Sequence, residues 1–403
     1  MSFEQGLSGL NAAGQNLDVI GNNIANSETA GFKSSSATFS DVFAVSLGGG
    51  ASGMAVGSGT QVAGVTQQFS QGSITADSNP LDVAINGSGF FRVSNGGAIS
   101  YTRNGQFQVD KNGYLIGANG QNVTGYQAVN GAVITGVLGN LQLSQANVAP
   151  KATTTAAVGA NLASTAPVLP TASLDPTNPT TYNYSTSSTA YDSLGQSHTV
   201  TYYFNKTAAN GWDASVYVDG AAANGAGASS LSFDTGGNFV SSTNLVKTAA
   251  LANGAAPLSI TMDFSKMTQT GSAFGVNSLS QDGYASGQLS GYNIGSDGTI
   301  VGNYTNGQTQ RLGQIALANF TNPQGLAPLG NSMWSETASS GAALAGTPGS
   351  ASLGALQSSA LEGSNVDLTA QLVSMITAQR DYQANAQTIK TQDALTQTLI
   401  TLR

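Results

Sequence analysis

The 403-residue sequence contains no cysteine, which excludes disulfides and thiolate metal sites together. Charged residues are also scarce, at 8% of the chain against about 25% in an average globular protein. The net charge is −8 and the few lysines and arginines are scattered, so no basic patch is available for nucleic acid. No run approaches the roughly 20 apolar residues that a membrane-spanning helix needs. The sequence therefore predicts neither a nucleic-acid partner nor a membrane span.

The first residues also lack the features of a cleaved signal peptide. The first cation is Lys33, and no apolar h-region accompanies it. We therefore expect a protein that either stays in the cytosol or is exported without a cleaved signal peptide.

Small polar residues take the place of the missing charges. Hydrophobic residues make up 40% of the chain, which is too many for a disordered protein, and Gly, Ser, Thr, Asn and Gln supply most of the rest. A chain of this length should hold two to four domains. Weakly charged surfaces of this kind can be packed side by side with little repulsion.

The last part of the chain has the pattern of a long helix. Residues 365–403 contain neither proline nor glycine, and apolar residues recur at helical spacing. Asn365 and Asp367 stand where N-capping side chains and a first-turn carboxylate are expected. The sequence predicts a helix from Asp367 to Leu402, about 54 Å long at about 1.5 Å per residue. The assembly residues assigned to it are Leu368, Leu372, Met375, Tyr382, Ile389, Leu395 and Leu399.

A second helical stripe lies at the other end of the chain. Its members alternate spacings of four and three, which is the seam pattern of a helix that packs along another helix. We expect residues 1–28 to form a helix that pairs with the C-terminal one as a coiled coil, with Gly14 and Gly21 allowing close approach. We also expect other copies to complete this core; the alternative is a helical hairpin that caps one globular domain. The stripe is Phe3, Leu7, Leu10, Gly14, Leu17, Gly21 and Ile24.

Between the helices the hydrophobic period is two, which indicates β-strands. Residues 107–117 and 292–302 each place an aromatic residue six positions before the glycine of an Asn-Gly or Asp-Gly turn, so each predicts a β-hairpin. Two matching hairpins so far apart indicate one β domain interrupted by an insertion. We expect strands in the insertion at 197–204, 212–218, 231–233 and 258–264, after an entry at 150–190 that is rich in Thr, Pro, Ala and Ser.

These patterns predict a multidomain, mainly β protein with long α-helical termini and nested β-rich domains. Residues 33–60 are predicted to form a Ser/Gly-rich connection that contains one short apolar group around Phe39 and Phe43. The predicted division is an inner helical domain (1–30 and 365–403), a linker (31–75 and 359–364), a β-rich middle domain (76–152 and 286–358) and an inserted β-rich outer domain (153–285).

Signals for catalysis are weak. The only histidine, His198, lies in an alternating strand pattern, where a surface or cross-strand role is expected. Asp110 begins half of a calcium loop, but no distal bidentate carboxylate follows, and hairpin turns use the same residues. The glycines that follow Asn86 lack the lysine of a P-loop. We therefore assign no catalytic, cofactor or metal residue, although paired aspartates for glycoside hydrolysis are not excluded by sequence.

Three groups of motifs resemble the axial proteins of the bacterial flagellum. One is N-terminal, one lies in the β region and one is C-terminal, so the resemblance covers nearly the whole chain. They occupy residues 10–13, 17–26 and 29–33; residues 81–91 and 101–107; and residues 360–368 and 378–385. Within this rod and hook family, the length, the insertion, residues 308–320 and the ending at Leu402-Arg403 resemble the hook members.

The resemblance implies a structural subunit rather than an enzyme, without cofactors. It implies a homopolymer that forms a curved flexible tube outside the cell, attached to the basal body, and passes motor torque from rod to filament. The implied partners are other copies, the distal rod protein, the hook cap protein, the hook-filament junction protein and the flagellar type III export apparatus. The alternatives are a rod or hook-associated flagellar protein and, from another class, a secreted β-rich polysaccharide-cleaving enzyme.

Phe39 and Phe43 form a candidate export signal. They are spaced i, i+4 in a polar stretch, and they resemble the Phe-x-x-x-apolar signal of the family. The alternative is that both aromatics pack onto the β domain after assembly.

Overall fold

A computed structural model describes residues 2–42, 57–169, 174–223 and 227–401. The predicted fold class is confirmed, because strands dominate and one helix lies at each end. Helix α1 spans Ser2–Ala25 and helix α2 spans Leu368–Thr401. Asp367 caps α2, since its Oδ1 accepts a hydrogen bond from the Ala370 amide at 3.1 Å. The predicted helices at 1–28 and 367–402 therefore have nearly the observed bounds.

Ten strands of the described chain precede the insertion. They are β1 (Ser35–Val42), β2 (Gly59–Gln67), β3 (Ile74–Ala76), β4 (Val83–Asn86), β5 (Phe90–Asn95), β6 (Ala98–Thr102), β7 (Phe107–Val109), β8 (Leu115–Gly117), β9 (Asn122–Val129) and β10 (Ala132–Asn140).

The insertion is also built from strands in its described part. They are β11 (Thr155–Ala163), β12 (Tyr184–Tyr191), β13 (Ser197–Ala208), β14 (Gly211–Val218), β15 (Ala221–Ala222), β16 (Ser229–Phe233), β17 (Phe239–Ser242), β18 (Val246–Ala249), β19 (Leu258–Asp263), β20 (Thr268–Thr270) and β21 (Gly275–Gln281). A 3-10 turn at Pro179–Thr181 precedes β12.

The remaining strands lead to α2, with a 3-10 turn at Pro323–Gly325 between β25 and β26. They are β22 (Leu289–Ile294), β23 (Thr299–Tyr304), β24 (Thr309–Ile315), β25 (Leu317–Asn319), β26 (Ala327–Gly330), β27 (Met333–Ser335), β28 (Leu344–Gly346), β29 (Ala355–Ser358) and β30 (Ala360–Glu362).

The chain divides into two compact units. The helix-bearing unit comprises Met1–Gln145, Gly291–Asn303 and Thr309–Arg403, and the inserted unit comprises Ala146–Ser290 and Tyr304–Gln308. The turn at 304–308 joins the inserted unit through Asn306, whose Nδ2 donates to the Ala285 carbonyl at 2.8 Å. The finer division into inner, linker, middle and outer domains stays a prediction.

Both predicted hairpins belong to one sheet of the helix-bearing unit. Strands β7 and β8 pair, β22 and β23 are neighbours, and all four lie in a sheet that counts 13 strands within the described residues. Gly113 and Gly298 in the two turns have φ of 82° and 80°, a conformation that favours glycine. The core beside this sheet contains an aromatic cluster in which Phe90 contacts Phe69, Phe320 and Trp334 edge to face.

Strand β1 lies where the sequence indicated a polar connection. It pairs with β2 in antiparallel orientation, with a bulge between Thr38 and Phe39. The strand was not predicted because Ser and Thr alternate with few apolar residues, so the period-two contrast is weak. Pairing with a segment about 25 residues away supplies the order that the local sequence lacks.

The inserted unit is a β-sandwich. Strands β12, β13, β14, β16 and β17, with β15, form one sheet, and β18, β19, β11, β20 and β21 form the other. Their inner faces share one core that contains Trp212, Phe204 and Ile260. The four strands predicted in the insertion are present as β13, β14, β16 and β19, whereas β11 and β12 lie in the segment predicted only as a Thr/Pro/Ala/Ser-rich entry.

Candidate functional site

The two terminal helices pair in antiparallel orientation. A Cβ atom added at Gly9 would lie 2.6 Å from Oδ1 of Asn385, so the backbones approach closely there. Towards the end of α1, Asn23 Nδ2 donates to Gln371 Oε1 at 3.3 Å. The start of α1 therefore lies beside the middle of α2, and its end lies beside the start of α2.

The two helices approach closely at Gly6 and Gly9, and not at the predicted Gly14 and Gly21. Nothing lies within 4 Å of a Cβ atom added at Gly14 or Gly21, whereas one at Gly6 would lie 3.0 Å from Ile389 Cγ1. The prediction for Gly14 and Gly21 is wrong because α1 carries two stripes with the same alternating spacing. The stripe of smaller residues faces α2 within one chain, since small residues let helices approach closely. Its members are Gly6, Gly9, Ala13, Asn16, Ile20 and Asn23.

The predicted stripe of bulky residues on α1 stays largely uncovered. Phe3 is 48% exposed and Leu7 is 44% exposed. Leu10, Leu17 and Ile24 are half-buried. In the single chain this stripe is therefore not the principal contact with α2, and its role in assembly stays a prediction.

The predicted residues of α2 differ in their exposure. Met375 and Ile389 are half-buried, and Ile389 lies against Gly6 of α1. The side chain of Leu399 lies outside the described part of the chain. The remaining members, together with Phe3 and Leu7, belong to a set that we call the exposed helix surface. It consists of Phe3, Leu7, Leu368, Leu372, Val373, Ile376, Tyr382 and Leu395.

A buried ion cluster lies where the helices join the β strands. The Glu362 carboxylate at the end of β30 accepts from Lys33 Nζ at 2.6 Å and from Arg103 Nη1 at 2.9 Å. Its Oε1 also accepts from the Gly72 amide at 2.9 Å. The side chains of Lys33 and Glu362 are fully buried and that of Arg103 is 5% exposed. We call these three charged residues the buried triad.

The buried triad connects five separate segments of the chain. Lys33 Nζ also donates to the Ser70 carbonyl at 2.7 Å, and Arg103 Nη2 donates to the Gly87 carbonyl at 2.9 Å. Burial lowers the pKa of Lys33 below its ordinary range, the Glu362 carboxylate opposes this shift, and the Arg103 charge adds to it. Two cations thus depend on one carboxylate, which makes Glu362 the member that holds the cluster together.

Two asparagines next to the triad attach the helices to the connecting strands. Asn23 of α1 brackets the backbone of Ser35, since its Nδ2 donates to the carbonyl at 2.7 Å and its Oδ1 accepts from the amide at 2.9 Å. Asn365 Oδ1 accepts from the Ser34 amide, and its Nδ2 donates to the Gln68 carbonyl, both at 2.7 Å. Asn365 was predicted as a helix cap, but it holds the connection instead. In a chain with so little charge, the isolated Lys33 and Glu362 were the signal that could have indicated this junction.

The candidate export residues are only partly described. Phe39 lies in β1 opposite Val62, with 45% of its surface exposed. It borders a cleft of about 500 Å³ between the two helices and the β1–β2 hairpin. Phe43 lies outside the described residues. The export role of the pair stays a prediction.

The other sequence candidates take structural positions. Asp110 Oδ1 accepts from the amides of Asn112 and Tyr114, which stabilises the β7–β8 turn. Within the described ranges, no group of three or more His, Cys, Asp or Glu side chains could hold a metal ion. In the same part of the chain, no helix has the length and apolar character to cross a membrane. His198 forms two contacts with aspartates in the inserted unit.

Four families of flagellar proteins match the chain in order. The Flagella basal body rod protein family matches residues 3–33, and the Flagellar hook protein FlgE/F/G D1 domain matches residues 84–161. The Flagellar basal body protein FlaE D2 domain matches residues 161–284, and the Flagellar basal body rod FlgEFG protein C-terminal family matches residues 357–402. Helices at both ends of a chain with an inserted β unit, together with these matches, define an axial protein of the bacterial flagellum.

Relatives that match the whole chain show which axial proteins it is similar to. The chain is 46% identical over 417 residues to the flagellar hook protein FlgE of Escherichia coli (strain K12), with 100% of both chains covered. It is 45% identical over 420 residues to FlgE of Salmonella typhimurium, again with both chains fully covered. It is 35% identical to FlgE of Rhizobium meliloti, over 100% of this chain and 98% of that protein. The chain belongs to the flagellar hook protein family, as its length and insertion predicted, and is a structural subunit of the hook.

Proposed function

We propose that copies of this chain polymerise through the exposed helix surface into a curved, flexible tube that transmits motor torque from rod to filament as a universal joint. The observation that carries the proposal is the set of large apolar side chains left exposed on both terminal helices. Water-exposed apolar groups of this size gain roughly 1.5–3 kcal/mol each when they become fully buried. A second copy with the same helices is the partner that offers a matching apolar surface.

The same proposal includes the location of the polymer and the proteins that its subunits contact. The polymer lies outside the cell on the basal body, and its subunits are exported without a cleaved signal peptide by the flagellar type III export apparatus. The distal rod protein, the hook cap protein and the hook-filament junction protein are the proposed neighbours, and no enzymatic activity is assigned. Support comes from the family membership and from a chain without cysteine, which forms no disulfides that would hinder passage in an unfolded state.

Charges placed on the exposed helix surface test polymerisation. The double substitution Leu7→Asp and Leu372→Asp should raise the critical concentration for tube formation at least roughly 100-fold, because two apolar contacts are lost and two charges are introduced. Folding of the single chain should be little affected, since the two side chains are 44% and 45% exposed. Sedimentation and electron microscopy measure the polymer, and circular dichroism measures the fold.

A matched control places the same charges elsewhere on the helices. Gln15 and Ser374 are exposed, and Ser374 lies on the opposite side of α2 from Leu372, so Gln15→Asp with Ser374→Asp should leave the critical concentration nearly unchanged. Tubes formed by the Leu7 and Leu372 variant at the wild-type concentration would exclude this surface as the polymer contact. Equal inhibition by both variants would show a general effect of charge instead.

The export role of Phe39 and Phe43 is tested by secretion. Phe39→Ser with Phe43→Ser should reduce the secreted fraction several-fold while the cellular level stays the same, because the proposed aromatic signal is removed. Val65→Ser is the control, since Val65 lies on the same hairpin and is 53% exposed. Quantitative immunoblotting of cells and medium gives both amounts. Normal secretion of the double variant would leave packing as the role of these aromatics.

A further inference from the structure

The only histidine of the chain is held between two carboxylates in the inserted unit. His198 lies near the start of β13, and its Nδ1 is 2.6 Å from Oδ2 of Asp219, which follows β14. Its Nε2 is 3.2 Å from Oδ2 of Asp192, which lies in the turn between β12 and β13. The imidazole is only 10% exposed and the Asp192 side chain is fully buried. Both ring nitrogens therefore face an acceptor.

Asp192 connects this site to the second sheet of the sandwich. Its Oδ1 accepts from the amides of Leu194 and Gln196 at 2.9 and 2.8 Å, and its Oδ2 accepts from the side-chain amide of Asn253. Asn253 lies in the loop between β18 and β19, which belong to the other sheet. Burial opposes the charge of Asp192, but these hydrogen bonds and that of His198 lower its pKa to about 2.

Only the protonated imidazole satisfies both carboxylates. A neutral imidazole carries one N–H, so either tautomer directs a lone pair at a negatively charged oxygen. Burial alone would lower the pKa of His198, but the hydrogen bonds and charges of Asp219 and Asp192 raise it above its ordinary value of 6.5. The hydrogen bond with His198 in turn lowers the pKa of Asp219.

Among the described residues, Asp219 and Asp192 are the charged groups that act on the ring. The residue opposite His198 on β12 is Ala190, and the loop 250–257 contains no titratable residue. Tyr217 on β14 directs its hydroxyl to the Leu174 carbonyl. A cavity of about 390 Å³ lies beside the ring, and five of the ten residues that line it are alanines, so the loop has room to move when a contact is lost.

We propose that His198, Asp192 and Asp219 form a proton-operated clasp that fastens the 250–257 loop to the β12–β13 turn and opens as the pH rises. Loss of the imidazolium proton replaces one hydrogen bond by repulsion between a lone pair and a carboxylate. Asp192, the Asn253 side chain and the turn amides of Leu194 and Gln196 then lose their fixed positions, and the inserted unit loosens at this edge. The clasp lies within one chain and acts independently of polymerisation.

The sign of the effect follows from the shifted pKa values. Because the pKa of His198 is raised on folding, its stabilisation is fully present below pH 6.5 and is lost as the pH rises through the folded value. Because the pKa of Asp192 is lowered, its stabilisation is present above 3.8 and is lost as the pH falls towards about 2. The clasp is therefore most stable between pH 3.8 and pH 6.5, where both contributions are fully present.

Nuclear magnetic resonance can follow the clasp directly in the full-length protein at subunit concentrations that do not polymerise. With one histidine in the chain, the imidazole signal is unambiguous, and we expect its titration midpoint to lie above 6.5. Asp219→Asn should move the midpoint down, and Asn tolerates the positive φ of 49° at this position. Asp213→Asn, on the same strand β14 but bonded to Ser230, should leave the midpoint unchanged.

Amide hydrogen exchange tests the opening. After correction for intrinsic rates, protection of residues 192–198 and 250–257 should fall above the midpoint, by about tenfold for each unit that the midpoint exceeds 6.5. His198→Gln cannot gain a proton and should abolish this pH dependence. A midpoint at or below 6.5, or the same loss of protection in His198→Gln, would overturn the proposal.

Discussion

Replacing Glu362 with alanine should lower the free energy of unfolding of the helix-bearing unit by about 3–5 kcal/mol, the usual cost of removing one partner from a buried ion pair. The substitution leaves Lys33 and Arg103 buried without their carboxylate and leaves the Gly72 amide without its acceptor. Glu362→Gln should cost less, because the amide oxygen can still accept one of these hydrogen bonds. The effect is large because both buried cations have lost their hydrating water, and the substitution removes the carboxylate that compensates for this loss.

The two tryptophans make this measurement specific. Trp334 lies in the helix-bearing unit and Trp212 lies in the inserted unit. In a Trp212→Phe background, Trp334 fluorescence therefore reports the unfolding of one unit in urea, which avoids a two-state treatment of a two-unit chain. Glu28→Ala is the control, since Glu28 is an exposed glutamate of the same unit and surface substitutions usually change stability by less than about 0.5 kcal/mol.

A pH series separates the charge effect from simple loss of packing. Burial keeps the pKa of Lys33 below its ordinary value, so its protonated form destabilises the fold when Glu362 is absent. That penalty decreases as the pH rises through the folded pKa, and the difference between wild type and Glu362→Ala should shrink towards alkaline pH. A loss below about 1 kcal/mol at neutral pH would instead mean that the triad behaves as a solvated surface pair.

Replacing Trp212 with alanine should lower the free energy of unfolding of the inserted unit by about 3–5 kcal/mol. The indole is fully buried, and its Nε1 donates to Gln269 Oε1 at 2.7 Å. Truncation leaves a cavity where the ring stacked on Tyr184, at a centroid distance of 5.9 Å, and leaves the Gln269 oxygen without its donor. Trp212→Phe should cost less, because the phenyl ring fills most of that space and only the hydrogen bond is lost.

Calorimetry with Trp334 fluorescence measures this second effect. The transition of the inserted unit should move down by roughly 6–20 °C, at about 2–4 °C per kcal/mol for a unit of this size. The Trp334 transition should stay in place. Leu194→Ala is the matched control, because Leu194 is 57% exposed in the same unit. Equal movement of both transitions would contradict separate unfolding of the two units.

Local chemistry made several elements predictable. The hairpins around Gly113 and Gly298 follow from Asn-Gly and Asp-Gly turns, whose geometry depends on a few adjacent residues. The ends of α2 follow from Asp367 and from the absence of glycine and proline. Strands β13 and β14 follow from strong alternation of aromatic and β-branched residues. In each case the signal and the structure involve the same short segment.

Weak local contrast concealed other elements. Strand β11 places Ala156, Val158, Ala160 and Leu162 in the core, but alanine and threonine give it little hydrophobic contrast. It is ordered by its neighbours β19, β20 and β21, which lie about 100 residues further along the chain. Pairing of this kind depends on tertiary contacts rather than on intrinsic preference.

Periodicity, turn residues and long motifs are local properties, and they were enough to predict the helical ends, the β-rich middle, the insertion and the resemblance to the hook family. The folded chain was needed to establish which stripe of α1 faces α2, since both stripes have the same spacing and only the stripe of smaller residues allows the helices to approach closely. It also decided that Lys33, Arg103 and Glu362 meet, and that His198 lies between Asp192 and Asp219. A charged residue carries no local sign of its partner, because the partner's distance along the chain is set by the fold.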